Sequence, residues 1–243
     1  MPLKKTIVIF FFFFTAFQQN VLAQNKGSLK IIFTNTVNGF PLVLSDSVFY
    51  TNPFSETYSI HKFKYYISNI YLNNAEKENE SYHLIDAAKP ESLSFEFRVK
   101  AGNYNSFNFL LGIDSLRNCS GAQSGALDPM NDMFWTWNSG YVTLKLEGTS
   151  PISKQFNNRI EYHLGGYAGI NKVMQPINLS TPFKIMEGKT TIIFIQADIN
   201  MLWQNPNDIK IASVNVCTTP GTLAKKIADN CSHLFSIKNI LLP

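Results

Sequence analysis

Hydrophobic side chains along most of this chain recur at every second position, the spacing of extended strands rather than of helices. Leu29-Lys30-Ile31-Ile32-Phe33 opens the first strand. From Tyr58 to Leu72 the pattern is long, and His61, Phe63, Tyr65 and Ile67 fall on one face of an extended chain. Leu93, Phe95, Phe97 and Val99 alternate with Ser94, Glu96 and Arg98, and Tyr104 to Ile113 gives a further apolar strand. Tyr141, Thr143 and Lys145 alternate with Val142, Leu144 and Leu146, and Arg159–Leu164 and Thr190–Ile199 add two more strands. Clusters of Asn, Gly, Ser and Pro separate the segments, as turns require. The pattern predicts an all-β fold: an antiparallel β-sandwich or partly closed barrel, immunoglobulin-like or Greek-key in its connections.

One short segment reads as helical. Thr222–Asp229 follows Pro220 and Gly221 and places Leu223, Ala224 and Ile227 on one face, just before a final strand over Leu234–Ile240. Asn74–Ser81 is charged and reads as a solvated hairpin loop. There is no internal repeat and no low-complexity linker, so residues 24–243 form one domain with a short C-terminal helix.

The N-terminus changes where this domain is expected to reside. Lys4 and Lys5 precede an apolar run from Ile7 to Phe14, and Val21-Leu22-Ala23 offers a small residue for cleavage before Gln24. This is the layout of a secretory signal over residues 1–23. The run is shorter than the roughly 20 residues that span a bilayer, so no stable membrane anchor is expected, and the location is periplasmic or secreted. Of the 243 residues with formal charge +4, removing 23 that include two lysines leaves 220 with charge +2. Near neutrality and scattered lysines give no footprint for nucleic acid. Three cysteines remain, Cys119, Cys217 and Cys231. An oxidising compartment permits one disulfide. Three connectivities are open, and Cys217 with Cys231, 14 apart around the helix, is the expected pair. No Cys-x-x-Cys is present, which argues against a thiol–disulfide oxidoreductase or a thiolate zinc site.

Candidate chemistry concentrates in Ser120–Gly148 (SGAQSGALDPMNDMFWTWNSGYVTLKLEG). A turn that only connected two strands would be small and polar, whereas this one carries Met130, Met133, Phe134, Trp135 and Trp137. It either plugs a core or builds a site. The run Asp128–Asp132 lacks the spaced oxygen donors and terminal glutamate of a calcium loop, and Asp128 before Pro129 reads as a turn cap. Elsewhere there is no nucleophile elbow, phosphate loop, dinucleotide fingerprint or His-Glu-x-x-His. The four histidines, His61, His83, His163 and His233, are never closer than 22 residues. No turnover chemistry is expected. In an extended Arg159–Leu164, Arg159, Glu161 and His163 share the polar face, which makes His163 either a ligand or a solvent-facing strand histidine. His61 lies on an apolar face, the usual place of a core histidine, yet neutral imidazole also suits copper. Met133 is a soft donor or core filler, and the paired indoles Trp135 and Trp137 are core anchors or site walls.

Three motifs carry a resemblance: Gly125-Ala126-Leu127-Asp128-Pro129 with Met133–Tyr141 (MFWTWNSGY) and Lys145-Leu146-Glu147-Gly148; Tyr162-His163-Leu164-Gly165-Gly166; and Phe63–Ile70 (FKYYISNI). In these the chain resembles the MbnP-like family, periplasmic copper proteins related to the methanobactin-associated protein of methanotrophs. The resemblance implies an exported copper-binding carrier, scavenger or sensor module with copper ion as its ligand. It implies His163 as first-choice ligand at the HLGG position and Met133, within the MFWTWNSGY run, as a further candidate; His61, just before the FKYYISNI match, is carried as the second nitrogen donor an exported copper site needs. It also implies oxidation of a tryptophan, Trp135 or Trp137, to kynurenine by a partner of the di-haem cytochrome c peroxidase type. The Val216–Pro220 segment lacks the methionine and histidine donors such a site could also use. The rival readings are a metal-free sandwich that docks a protein or glycan through its aromatic loop, and a redox enzyme or an enzyme's protein substrate.

Overall fold

The computed structural model describes residues 25–73, 76–78, 81–135 and 139–243. The expected secretory signal over residues 1–23 and Trp137 lie outside these residues. In chain order the first strands are β1 (Lys26–Val37), β2 (Phe40–Pro41), β3 (Ser45–Thr51), β4 (Thr57–Ile60), β5 (Lys62–Leu72), β6 (Glu76–Lys77), β7 (Tyr82–Asp86) and β8 (Ser94–Lys100). They are followed by β9 (Gly102–Leu111), β10 (Val142–Thr149), β11 (Arg159–Gly165), β12 (Gln175–Ile185), β13 (Thr190–Asp198), β14 (Val216–Cys217) and β15 (Phe235–Leu241). The one-turn α1 spans Ser115–Asn118 and α2 spans Thr222–Cys231. Among the described residues no helix is long and apolar enough to cross a membrane.

Two sheets face each other. One runs β15-β13-β1, with β2 and β8 also paired to β1; the other runs β12-β9-β5-β10-β11-β14, with β6 and β7 also on β5. Neither closes into a barrel, so the fold is the all-β sandwich. The expectation of purely antiparallel pairing needs one correction, because β1 runs parallel to β13 and β11 parallel to β14. These partners are separated by long stretches of chain, which gives the crossovers that parallel pairing requires.

Alternation explains the core. Leu29, Ile31 and Phe33 of β1 meet Phe63, Tyr65 and Ile67 of β5 and Ile160, Tyr162 and Leu164 of β11 in one buried cluster. Phe33 packs edge-on against Tyr65 across the sandwich at 6.1 Å, and the Tyr65 hydroxyl donates to Asn35 Oδ1 at 3.0 Å. Phe235 of β15 stands edge-on to Phe109 of β9 at 5.1 Å. Trp203 is fully buried and donates its indole N–H to the Tyr58 hydroxyl at 3.0 Å, the partner a buried indole needs.

Other expectations change in detail. The Tyr58–Leu72 pattern is two strands broken at His61, where the chain leaves the β3–β4 hairpin for the large sheet. His61 is therefore exposed at the bend instead of lying on the apolar face with Phe63 and Tyr65. In α2 the buried face is Ala224, Ile227 and Ala228, and Leu223 points outward. Strand β12 gave no signal because Pro176 and Pro182 interrupt it. It is an edge strand with a register shift between Ser180 and Phe183, the setting in which a sheet accepts proline. The expected Cys217–Cys231 bond is also corrected. All three cysteines are free thiols, Cys119 exposed and the other two enclosed by the main core. They act there as small apolar residues, and burial pushes the Cys217 thiol up to about 11.

Gly148 fixes the approach of β10 to β4. A Cβ there would stand 1.9 Å from the Ser59 carbonyl oxygen, which belongs to backbone and cannot rotate away. Gly148→Ala is expected to destabilise the fold by about 3 kcal/mol, the upper end of overpacking costs, read as a lowered denaturant midpoint. A wild-type midpoint would refute this account of the contact.

Candidate functional site

The site occupies the face of β5, β10 and β11 that turns away from the core. Cross-strand register places Lys145 beside His163 on one side and Lys64 on the other, and Glu147 beside Glu161 and Lys62. These positions alternate with Phe63, Tyr65, Leu144, Leu146, Tyr162 and Leu164, all fully buried. At the bend before β5, the His61 amide donates to the Glu147 carbonyl at 2.9 Å. Two histidines 102 positions apart in sequence thus arrive on either side of one glutamate.

Glu147 is the hub. His163 Nε2 lies 2.9 Å from its Oε1, His61 Nε2 lies 3.8 Å from its Oε2, and Lys62 Nζ lies 3.0 Å from the same Oε2. The His163 and Glu147 side chains are only 15% and 16% exposed, so the contact is shielded from water. The hydrogen bond with His163, aided by Lys62 and opposed by burial, holds the Glu147 carboxyl down at about 2. His61 Nδ1 meets Asp46 Oδ1 at 2.8 Å, which fixes the ring and leaves Nε2 on the Glu147 side.

A loop roofs this face and is tied to it by lysines. Asp132, in the left-handed conformation at φ 62°, takes Lys62 at 3.1 Å and Lys145 at 3.0 Å. Lys64 reaches the Asn131 carbonyl at 3.2 Å and Asp86 at 3.2 Å. For Asp132, burial raises the carboxyl, but the hydrogen bonds from Lys145 and Lys62 outweigh it and the net shift is downward. For Lys62, burial lowers the amine, but its bonds to Glu147 and Asp132 prevail and the net shift is upward.

Beneath the same loop sits a second small core of Tyr66, Ile113, Leu127, Met133, Tyr141 and Val142. A bulge between Val142 and Leu144 turns Val142 towards it. The Tyr66 hydroxyl donates to the Ala126 carbonyl at 2.9 Å and the Tyr141 hydroxyl to the Leu127 carbonyl at 2.7 Å, which pins the loop.

The sequence candidates within the described residues can now be located. His163 and His61 converge on Glu147. Met133 is fully buried, and its thioether fills the second core, apart from the ion pairs. Met130 is exposed, and Asp128 caps the following turn by accepting from the Met130 amide at 2.9 Å. Trp135 is half-buried, and its six-membered ring covers Gly165: a Cβ on Gly165 would lie 2.4 Å from Cζ3. Gly165 shares the outward face of β11 with His163, so the indole lies on the histidine side of the sheet. Phe134 is half-buried against Tyr141 at 4.9 Å, so these two aromatics form no freely exposed patch. Asp46, Lys62, Asp132 and Glu147 were not among the sequence candidates. The alternation of Lys145 and Glu147 held the signal for Glu147; the register that sets it between the histidines did not exist in one dimension. Among the described residues, no three His, Cys, Asp or Glu side chains are already gathered as a metal cage.

Fold and site together define a two-sheet β-sandwich with two histidines facing one carboxylate on a loop-roofed sheet. The MbnP family model matches residues 26–219, and the chain belongs to the MbnP family. Its structure is similar to that of MbnP from Methylosinus trichosporium, with a TM-score of 0.54 at 13% identity over 81% of this chain and 82% of that one. At that identity the likeness is one of fold. No curated protein matches the sequence.

The lysine tether carries a pH dependence with a definite sign. A carboxyl lowered below its ordinary 3.8 by folding stabilises the folded state above that value and loses the contribution as pH falls through the folded-state value. Asp132→Asn is therefore expected to lower the denaturant midpoint at pH 7, and the gap to wild type is expected to narrow as the pH is taken well below the ordinary carboxyl value of 3.8. An equal gap at both pH values would show that the loop is held by something other than this charge.

Proposed function

We propose that this chain is an exported copper-binding protein, a carrier, scavenger or sensor module that performs no turnover chemistry. The observation that carries the reading is the convergence of His61 Nε2 and His163 Nε2 on the two oxygens of Glu147. Imidazoles beside a carboxylate are a donor set that suits copper. A ring whose other nitrogen is fixed by a carboxylate, as Asp46 fixes His61, is the usual outer support of a metal-binding histidine. Membership of the MbnP family supports the same reading. Copper held there would be a cargo that can change oxidation state by one electron.

The N-terminal pattern of Lys4, Lys5 and the Ile7–Phe14 run supports export to the periplasm or beyond. Met133 is left out of the ligand set because its packing accounts for it. Trp135 is the tryptophan we assign for oxidation to kynurenine by a di-haem peroxidase-type partner, since its ring covers Gly165 two residues from His163. The half-buried state of Phe134 and Trp135 favours this reading over a docking surface.

The test is copper stoichiometry and affinity of residues 24–243, set beside His163→Ala, His61→Ala and the double variant. The expected result is about one copper per wild-type chain. Each single change is expected to weaken binding at least about 100-fold, the upper end of what outer-shell changes alone cost, and the double change to abolish it. Absence of uptake by the wild type, before and after exposure to a haem peroxidase, would sink the proposal.

A further inference from the structure

The small sheet turns one face to the core, and its other face holds a groove remote from the histidines. Phe33 and Val37 of β1 and Ile193 and Ile195 of β13 point into the main core. Alternation therefore sends Thr34 and Thr36 of β1 and Phe194 and Gln196 of β13 to the outer face. Register sets Thr34 opposite Gln196, and Phe194 opposite Asn239 of β15. These five side chains, with Gly39 of the β1–β2 turn as one wall, line a groove of about 290 Å³. Thr36 is only 3% exposed, and its hydroxyl has no hydrogen-bond partner among the described residues. A buried hydroxyl without a bond is costly and rare in a folded protein, and this one belongs to the lining of a cavity. We propose that the groove binds a neutral sugar ring, stacked on Phe194 and hydrogen-bonded through its hydroxyls to Thr34, Thr36, Gln196 and Asn239.

The chemistry of the lining selects that class of ligand. Phe194 is half-buried and offers a flat apolar ring with a negative face, which suits the polarised C–H groups on one side of a sugar. Hydroxyls and primary amides both donate and accept, as sugar hydroxyls demand. The neighbouring carboxylate is already committed. Asp198 accepts from the amides of Asn38 at 3.0 Å, Gly39 at 2.9 Å and Asn200 at 3.0 Å, and from Gln196 Nε2 at 3.3 Å. Those bonds fix the turn and the Gln196 amide in advance, which lowers the cost of binding. Lys238, exposed at the rim, is the one charged side chain among the described lining residues. A volume of about 290 Å³ is at the lower end for ligand sites, so the groove takes one ring and not a long chain of them. The proposal is independent of the copper reading.

The experiment titrates the chain with glucose, galactose, mannose and N-acetylglucosamine, followed by saturation-transfer NMR and by amide shifts of the labelled protein. Saturable binding of at least one sugar is expected, with shifts centred on Thr34, Thr36, Phe194 and Asn239 and an affinity insensitive to salt. Thr36→Val keeps nearly the same shape and removes the hydroxyl. It is expected to weaken binding about 10-fold, the worth of one neutral hydrogen bond, while the denaturant midpoint holds or rises. Phe194→Leu is expected to abolish saturation transfer. Binding by none of the four sugars would overturn the proposal. So would full affinity in Thr36→Val, which would leave that hydroxyl to water, or shifts that map instead to the loop around Trp135. If Phe194→Leu does not fold, Thr36→Val and Asn239→Ala, the latter at an exposed position, decide the question.

Discussion

Charged side chains taken out of water must be paired, because an uncompensated buried charge costs several kcal/mol. On the roofed face of the large sheet this requirement organises everything else. Lys145 and Lys64 have side chains only 6% and 13% exposed, and each is answered by a carboxylate. The alternation that drives Leu144, Leu146, Phe63 and Tyr65 into the core leaves Lys145, Glu147, Lys62 and Lys64 no choice of face. The loop that covers them must then supply partners, and Asp132 and the Asn131 carbonyl do so. The path of the loop follows from lysines on strands as much as from its own sequence.

The loop in turn positions its aromatic residues. Asp132 is anchored from two strands, and Met133 immediately after it is sunk into the second core. With both fixed, the chain has little freedom before Trp135, whose ring lands on the one residue of β11 that has no side chain to obstruct it. Gly165 is thus a seat for an indole. The HLGG run therefore does two things on one strand, presenting an imidazole from His163 and clearing space for a ring two residues later.

Much of the sandwich was legible because period-two alternation is a local property. β1, β8, β9, β10, β11 and β13 fall where the pattern placed them, and the outward face of Arg159, Glu161 and His163 was read correctly. What failed depends on partners distant in sequence. His61 was assigned to an apolar face because nothing local marks the step from one sheet to another. β12 was hidden by prolines that only an edge strand tolerates, and edge position is a property of the whole sheet. The cysteine pairing was inferred from spacing, but spacing does not say whether two thiols meet or are buried apart. The site shows the same division: His163 was legible from its strand, whereas Glu147 became significant only when register set it between two histidines.

The division of labour between strand and loop bears on how such a site could work. His163 and Glu147 lie on neighbouring strands whose spacing is fixed by ladder hydrogen bonds, and His61 is tied by its own amide to the Glu147 carbonyl. Groups on rigid elements keep their mutual geometry better than groups on loops. The indole sits on the loop, outside that ladder. Lys62 joins the two parts, since one ammonium touches both Glu147 and Asp132. One ammonium thus links the carboxylate that meets the histidines to the loop that carries Trp135, above a sandwich fixed by its own core.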